Sequence, residues 1–371
     1  MNVPLLDLVA QYGNIKDDVE RAVMAVIRRQ GFIMGPEVAQ LEAEVARLSR
    51  TRYAIGCASG TDALLLPLRA LDLEPGDEVI TTPFTFFATA GAIHNAGGRP
   101  VFVDIDAATY TISPQAIEAA ITPRTRAIIP VHLFGQMAAL EAILPIAERH
   151  GLAVIEDAAQ AIGARRQVNG EWRMAGELGT CGTLSFFPSK NLGAFGDGGM
   201  IVTQDPVLAE RLRRLRLHGG AKQYVHDEVG FNSRLDTLQA AVLLAKLPYL
   251  AEWSTARARN AARYTEAFSG HPAVCPPHVD PANTHIYNQY TIRVPRRDEL
   301  QARLKERGIG SAIYYPLPLH LQPCFSRLGY RQGSMPVSES AATSVISLPV
   351  YPEMPRDHQD AVIEAVLEFY A

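Results

Sequence analysis

The sequence predicts an α/β protein with a large domain built on a mainly parallel sheet and a smaller α+β C-terminal domain. Short apolar segments rich in valine and isoleucine alternate with helical patterns through the first 250 residues. Continuous apolar segments of this kind are typical of strands buried on both faces of a parallel sheet, with helices as the crossover connections. From about residue 250 a charged helical stretch leads into a proline-rich break, which marks a change of domain.

The strand candidates of the large domain are the segments RYAIGCAS, DEVITTP, RPVFVDID, TRAIIPVHLFG, LAVIEDAAQ, TLSFFPS and GMIVTQD. Thr61 and Asp62 supply a start signal for the helix that follows the first strand. In the small domain, YNQYTIRV and IGSAIYYPL are strand candidates on either side of the helix DELQARLKERG. We expect residues 1–250 to form the large domain and residues 251–371 the small one, and residues 1–30 are candidates for packing on the small domain.

Charge and cysteine content favour a cytoplasmic protein with a small-molecule substrate. The chain has 35 basic and 39 acidic residues, and neither sign forms a long run, which argues against a nucleic-acid or membrane partner. Its four cysteines lack the paired spacing of a zinc site or a redox pair, and no histidine, cysteine and aspartate cluster predicts a metal. The N-terminus has no signal-peptide pattern, and no stretch reaches the roughly 18 apolar residues that span a bilayer.

Two polar side chains lie where strand candidates end. Lys190 stands in SFFPSKNLGAFGDGG, between a strand and a glycine-rich turn. Desolvation there would lower the pKa of its amine and free it as a nucleophile for a Schiff base. Asp157 ends the strand VIED, at the edge where open α/β sheets bind ligands, and its carboxylate would hold a pyridinium nitrogen protonated.

Two earlier segments suit the other parts of the same cofactor. In CASGTD, residues 57–62, a small-residue turn precedes a helix, so backbone N–H groups and the helix dipole form a phosphate cradle. In TPFTFF, residues 82–87, an aromatic ring is available to stack on a flat pyridine. Considered alone, each element also has an ordinary explanation: a surface lysine, a capping aspartate, a capped helix and core aromatics. Their order along the chain favours the cofactor site.

That order resembles the fold-type-I pyridoxal-phosphate (PLP) enzymes, and the blocks SFFPSKNLGAFGDGG and GFNSRLDTLQAA are similar to those of the DegT/StrS family of nucleotide-sugar aminotransferases. The resemblance extends from GPEVAQLE to SLPVYP, nearly the whole chain. It implies PLP as cofactor, L-glutamate as amino donor, a nucleotide-linked keto sugar as acceptor, and ping-pong kinetics.

The resemblance also implies roles for individual residues. Lys190 would form the Schiff base and act as general base and acid, and Asp157 would pair with the pyridine nitrogen. The other implied cofactor contacts are Gly60, Thr61, Phe86, Gln160, Ser185 and Asn232. The implied substrate contacts are Arg234, Tyr314, Tyr315 and His320. In this family the GFNSRLD block enters the neighbouring subunit's site, so Asn232 and Arg234 imply a homodimer with shared active sites.

The same blocks bear on the sugar. SFFPSK followed by GDGG resembles family members that act at carbon 3, whereas members acting at carbon 4 tend to have SFHPVK and GEGG. The likeness is greatest to the UDP-2-acetamido-2-deoxy-3-keto-hexuluronate aminotransferases of surface-polysaccharide assembly, with dTDP-linked 3-keto sugars as competing substrates. Tyr314 stands where those relatives have a histidine. Tyrosine is uncharged near pH 7, which shifts the expectation toward a neutral sugar.

Three other functions compete with this prediction. An aminotransferase acting at carbon 4 is one. A PLP-dependent sugar dehydratase is another, although in such relatives a histidine replaces the lysine at the position of Lys190. The third is a non-catalytic PLP-binding regulator, which would not need the complete set of site residues. His132 and His218 are given no catalytic role, since an isolated histidine is usually structural.

Overall fold

The computed structural model describes residues 2–220, 222 and 224–371, and the large sheet organises most of them. The strands are β1 (Tyr53–Cys57), β2 (Glu78–Thr81), β3 (Arg99–Phe102), β4 (Thr125–Ile129), β5 (Ala153–Asp157), β6 (Arg165–Val168), β7 (Glu171–Met174), β8 (Cys181–Ser185), β9 (Gly199–Thr203), β10 (Tyr290–Arg293) and β11 (Val345–Leu348). Seven of them form one sheet in the order β1-β9-β8-β5-β4-β2-β3, while β6 with β7 and β10 with β11 form antiparallel pairs.

The large sheet is mainly parallel, as the sequence predicts. β3, β2, β4, β5 and β8 pair in parallel, and β9 is antiparallel to both of its neighbours, β1 and β8. The carboxyl ends of the parallel strands therefore meet at one edge. Asp157 at the end of β5 and Ser185 at the end of β8 both lie there.

Most of the helices cover the two faces of this sheet, and three later ones pack around β10 and β11. The helices are α1 (Leu8–Arg29), α2 (Pro36–Leu48), α3 (Gly60–Ala70), α4 (Ala88–Asn95), α5 (Pro114–Ala120), α6 (Leu140–His150), α7 (Pro206–Leu215), α8 (Thr237–Lys246), α9 (Leu250–Phe268), α10 (Arg297–Glu306), α11 (Pro336–Ser344) and α12 (Arg356–Tyr370). In the described part of the chain, none of them is long and apolar enough to cross a membrane.

Successive side chains along each strand point to opposite faces of the sheet, and helices cover both faces. This explains why the apolar segments of the sequence are continuous. In β4, Ala127 and Ile129 pack with α3, α4 and α7 on one face, and Ile128 packs with α2, α6 and α8 on the other. β5 repeats the pattern, with Ile155 on the first face and Val154 on the second. Both faces of the sheet are therefore buried, and apolar side chains predominate along its central strands.

The C-terminal region has a core of its own. β10 and β11 pack with α9, α10 and α12, and Val3 from the N-terminus joins this cluster and pairs with Ile309. Farther along, Ile15 and Val19 of α1 pack against Val242 of α8 and Trp253 of α9. The first 30 residues thus touch both regions, and a domain boundary at residue 250 stays a prediction.

Two local expectations were wrong. The helix after β1 begins at Gly60, because the side chain of Ser59 is the cap and accepts a hydrogen bond from the Asp62 N–H at 3.1 Å. The segment IGSAIYYPL is not a strand: within it, Ile309 and Ala312 form only isolated bridges. Pro316 removes one backbone donor from that segment, and β11 is the strand that pairs with β10.

Two glycine-to-alanine substitutions test the packing of the fold. A Cβ at Gly182 in β8 would lie 2.2 Å from the Gly176 Cα, so we expect Gly182→Ala to lower the unfolding temperature, with an overpacking cost of about 1–3 kcal/mol. A Cβ at Gly13 in α1 would have no neighbour within 4 Å. Gly13→Ala should therefore be neutral or stabilising by up to about 1 kcal/mol. Thermal unfolding followed by circular dichroism checks both, and equal unfolding temperatures would contradict the packing described.

Candidate active site

Asp157 is a buried carboxylate at the carboxyl edge of the sheet, with 5% of its surface exposed. The Thr89 hydroxyl donates to its Oδ2 at 2.8 Å, and the Ala159 N–H donates to its Oδ1 at 3.2 Å. Burial raises the pKa of Asp157, while these hydrogen bonds and the charge of Lys190 act in the opposite direction. The result is a carboxylate in a fixed orientation, shielded from water and close to one lysine.

The neighbouring carboxylate, Glu156, has a different environment. It accepts hydrogen bonds from three backbone N–H groups of residues 176–179 at 2.6–2.8 Å, and its Oε2 lies 2.8 Å from His132 Nε2. His132 Nδ1 accepts from the Ala138 N–H, so in the neutral ring Nε2 carries the hydrogen and donates to Glu156. Glu156 and His132 are a satisfied structural pair, which agrees with giving His132 no catalytic role.

Lys190 lies in a tight turn between β8 and β9. The Lys190 N–H donates to the Phe187 carbonyl at 2.9 Å, and the Ala194 N–H donates to the Phe186 carbonyl at 2.8 Å. Desolvation lowers the pKa of the Lys190 amine to about 8, and the Asp157 carboxylate partly offsets this effect. Near pH 7 about one such amine in ten is neutral, compared with far fewer for a solvated lysine.

A candidate phosphate cradle lies where α3 begins, beside Ser185. A Cβ on Gly60 would lie 2.7 Å from the Ser185 Cβ and 2.8 Å from its hydroxyl oxygen, so the start of α3 and the end of β8 are in contact. The backbone N–H groups of Gly60 and Thr61 belong to the first turn of this helix, which is its positive end. The hydroxyl of Ser185 and these N–H groups can together bind an anion.

Phe86, Gln160 and Tyr315 form the aromatic side of the site. The side-chain amide of Gln160 donates to the Tyr315 hydroxyl at 3.0 Å, and its carbonyl accepts from the Phe134 N–H at 2.8 Å. The rings of Phe86 and Tyr315 are 6.4 Å apart between centroids, and Phe86 remains 59% exposed. An open aromatic face therefore lies close to the sheet edge that carries Asp157.

The chain matches the DegT/DnrJ/EryC1/StrS aminotransferase family over residues 14–367. It belongs to this family. The match covers nearly the whole chain and confirms the resemblance, the enzyme class and PLP as the cofactor.

Individual relatives are similar to this chain over nearly their full lengths. A Geobacillus stearothermophilus protein named pleiotropic regulatory protein is 54% identical over 100% of this chain and 99% of its own length. The UDP-N-acetyl-3-dehydro-α-D-glucosamine 3-aminotransferase of Acidithiobacillus ferrooxidans is 47% identical over 98% of this chain and 97% of its own. The crystal structure of S. venezuelae DesV in complex with a ketimine intermediate superposes with a TM-score of 0.96, at 43% identity, and covers 99% of this chain and 98% of that one.

The residues of this aminotransferase suit PLP by their chemistry. Asp157 offers a buried carboxylate for a pyridinium nitrogen, and Lys190 offers an amine whose pKa is already lowered. The start of α3 offers a cradle in which a side chain larger than hydrogen at Gly60 would clash. Each part of the cofactor would thus have a complementary group among the residues that the sequence predicted.

Not every predicted site residue joins this group. In the described part of this aminotransferase, Asn232 is exposed and Arg234 half-buried, and neither side chain has a hydrogen-bond or ion-pair partner. Ser233 between them donates to Asp62 at 2.6 Å and so holds this segment against α3. His320 is only 1% exposed, and its Nε2 lies 3.0 Å from a Glu339 carboxylate oxygen. That places His320 in the interior rather than on a substrate-facing surface.

Tyr314 is half-buried and lines a small cavity together with Ser189, the residue before Lys190. The sequence analysis did not predict three contacts at the site: the hydrogen bond from Thr89 to Asp157, the hydrogen bond from Gln160 to Tyr315, and the contact of Lys246 with the Lys190 turn. Each joins residues that are 53 to 155 positions apart in the chain. No local pattern in the sequence signals such pairs.

Gly60→Ala tests the cradle. The added Cβ would occupy the contact with Ser185, so we expect PLP to bind at least about tenfold more weakly, equivalent to about 1.4 kcal/mol. The measurement is a titration of the PLP-free protein with PLP, followed by absorbance. Gly13→Ala is the matched control, because it adds the same methyl group at a position where no atom lies within 4 Å. An unchanged affinity in Gly60→Ala would show that the cradle does not hold the phosphate.

Proposed function

We propose that this enzyme transfers the amino group of L-glutamate to carbon 3 of a nucleotide-linked keto sugar. The observation that carries the proposal is the meeting of Lys190 and Asp157 at the carboxyl edge of the sheet, beside the cradle of Gly60 and Ser185. The family supports transamination of keto sugars, and a relative at 47% identity is named a 3-aminotransferase of a UDP-linked 3-dehydro sugar.

In this proposal each side chain has one task toward the cofactor. Asp157 holds the proton of the pyridine nitrogen, and Gly60, Thr61 and Ser185 bind the phosphate. Phe86 and Gln160 contact the ring and its substituents. When bound, PLP supplies an electron sink that stabilises negative charge at the α carbon of the amino donor.

Lys190 moves the protons. Its amine, with a pKa lowered to about 8, accepts the proton that leaves the α carbon of the donor. In the second half-reaction it delivers a proton to carbon 3 of the sugar. A general base works best when its pKa lies near the working pH, and desolvation brings the pKa of Lys190 closer to that range. The donor and acceptor react in turn at one site, which gives ping-pong kinetics.

For the acceptor we propose a neutral UDP-linked 2-acetamido sugar in preference to a uronate. Tyr314 supplies a hydroxyl in place of the histidine of the uronate-specific relatives, and burial raises the pKa of Tyr314, so the group stays uncharged. The named substrate of the relative from Acidithiobacillus ferrooxidans has no carboxylate either. A dTDP-linked 3-keto sugar is the second candidate, because a relative at 43% identity is named a dTDP-sugar transaminase.

We also propose a homodimer in which Asn232 and Arg234 complete the partner's site. Both lack partners within the described part of their own chain, as residues of a shared site would. Phe86, Phe187 and Phe195 are large aromatic side chains, each about half exposed, near the Lys190 turn and the aromatic side of the site. Such exposure suits a surface that a second subunit covers. The four free cysteines support the cytoplasm as its location.

The first experiment is an absorbance spectrum of the purified protein with PLP, before and after L-glutamate is added, with Lys190→Ala alongside. We expect a visible band from the lysine-linked cofactor that glutamate removes, and no such band in Lys190→Ala. The glutamate-treated enzyme is then mixed separately with three 3-keto sugars: a neutral sugar linked to UDP, a uronate linked to UDP, and a sugar linked to dTDP. Recovery of the band identifies the acceptor. A band that glutamate leaves unchanged would favour the non-catalytic PLP-binding regulator, the class to which the name of the Geobacillus relative points, and the absence of any band would contradict PLP binding through Lys190.

Mixing two inactive variants tests the shared site. Lys190→Ala and Arg234→Ala proteins should each be inactive, but a hybrid dimer contains one site with both native residues. Random exchange makes half the dimers hybrid, so activity should recover to at most about a quarter of the wild-type sites. Exchange is verified with subunits of different mass. Full exchange without recovered activity would place both residues in the site of a single subunit.

A further inference from the structure

Helix α8 contacts the turn that carries Lys190 at two points. The Gln239 side-chain carbonyl accepts from the Phe195 N–H at 2.8 Å, and Lys246 Nζ donates to the Gly193 carbonyl at 2.8 Å. Gln239 and Lys246 are seven residues apart, which is two helical turns, so both side chains lie on the same side of α8. The helix therefore holds the end of the turn with one donor and one acceptor.

Lys246 is a charged residue on the buried face of α8, where apolar residues are usual. It is 2% exposed, and its ammonium lies 4.8 Å from the centroid of the Phe195 ring, in a cation–π contact. In the described part of the chain no carboxylate lies within ion-pair distance of it. A buried, unpaired lysine is costly, and its one hydrogen bond goes to the turn of Lys190.

Glu353 supplies the nearest compensating charge. Both of its carboxylate oxygens are buried and make no hydrogen bond in the described part of the chain, and its negative charge acts on Lys246 and on Arg257 from beyond contact distance. Desolvation lowers the pKa of Lys246 to about 8, and the charge of Glu353 opposes that change. The chain thus keeps a charged group buried at this position instead of an apolar one of similar length.

Gly193 and Lys190 belong to one closely packed turn. A Cβ on Gly193 would lie 2.3 Å from the Pro188 carbonyl oxygen, so the two ends of the segment 188–193 are in contact. On its other side, Asn191 donates to the Ile286 carbonyl at 3.0 Å. The turn is held between α8 and the segment around Ile286, and Lys190 directly precedes Asn191, the first of these attachment points.

We propose that Lys246 is a positioning residue for Lys190. Its ammonium holds the Gly193 carbonyl on α8 and thereby sets the place of the Lys190 amine relative to Asp157. The inference rests on the proposed role of Lys190 as the lysine that binds the cofactor and moves the protons. Lys246 touches neither cofactor nor substrate, so it acts only through the turn.

Lys246→Met tests the proposal, because methionine keeps an unbranched apolar chain but removes the charge and the donor. Val242→Ala is the matched control: Val242 lies on the same helix and packs against α1 and α9 instead of the turn. Hydrogen exchange is measured in the PLP-free protein at the amides of residues 186–195, several of which are hydrogen-bonded within the turn. With PLP bound, the visible band is titrated against pH, and kcat and KM are determined.

In Lys246→Met we expect faster exchange in residues 186–195, a changed midpoint of the pH titration and a kcat lower by about tenfold or more, because small misplacements of a reacting group are costly. The KM for the sugar should stay within about twofold, since the sugar's contacts are unchanged. Val242→Ala should lower the unfolding temperature without these three changes. Wild-type exchange and an unchanged titration midpoint in Lys246→Met would overturn the proposal, as would the same changes in Val242→Ala.

A second variant covers the case in which Lys246→Met does not fold. Gln239→Leu removes the other attachment of the turn, the one to the Phe195 N–H, and leaves Lys246 in place. It should also speed exchange in residues 186–194, because the proposal requires both attachments of α8, and unaltered exchange there would overturn it. Failure of the proposed function has a different signature: the wild-type protein would lack the visible band, or Lys190→Ala would retain it.

Discussion

The parallel pairing of β5 with β8 is the constraint on which the rest of the site depends. Its register places Asp157 opposite Thr183, so the carboxylate and the start of the Lys190 turn leave the sheet at the same edge. β9 then runs back antiparallel between β8 and β1, which brings Gly199 against the turn before α3. One arrangement of strands thus joins the carboxylate, the lysine and the phosphate cradle. A shift of a single residue in that register would move Asp157 to the other face of the sheet.

Several ionisable side chains of the site and its surroundings are buried. Asp157, Glu156, Lys190 and Lys246 all lie largely out of water, although each charge would be cheaper in solvent. Glu156 is fully satisfied by backbone donors and His132, so it stabilises the loop below the sheet edge. Asp157 and Lys190 are less completely satisfied. That incomplete satisfaction leaves bonding capacity for a ligand, as an active site requires.

Much of the fold and of the site could be predicted from local patterns. Continuous apolar segments identified the strands of the large sheet, and the residues that end β5 and β8 were recognisable as strand ends. The two wrong predictions, the start of α3 and a strand at IGSAIYYPL, have causes that the apolar pattern of the sequence does not contain. The cap of α3 depends on which of three neighbouring polar residues bonds back to the helix, and Ser59 does so. IGSAIYYPL has a strand-like composition, but it pairs with β11 only at Ala312, and how far such pairing extends is a property of the assembled region.

The sequence by itself determined which chemistry is available: a lysine after a strand, a carboxylate at a strand end, a small-residue helix start and aromatic residues between them. These features are local, because they follow from residue type and from the conformational preferences of adjacent residues. Only the tertiary structure decided which groups meet. Thr89 orients Asp157, Gln160 bonds to Tyr315, and Lys246 holds the turn of Lys190, each across a long span of chain. His320 shows the reverse case, since burial beside Glu339 follows from packing that no neighbouring residue specifies.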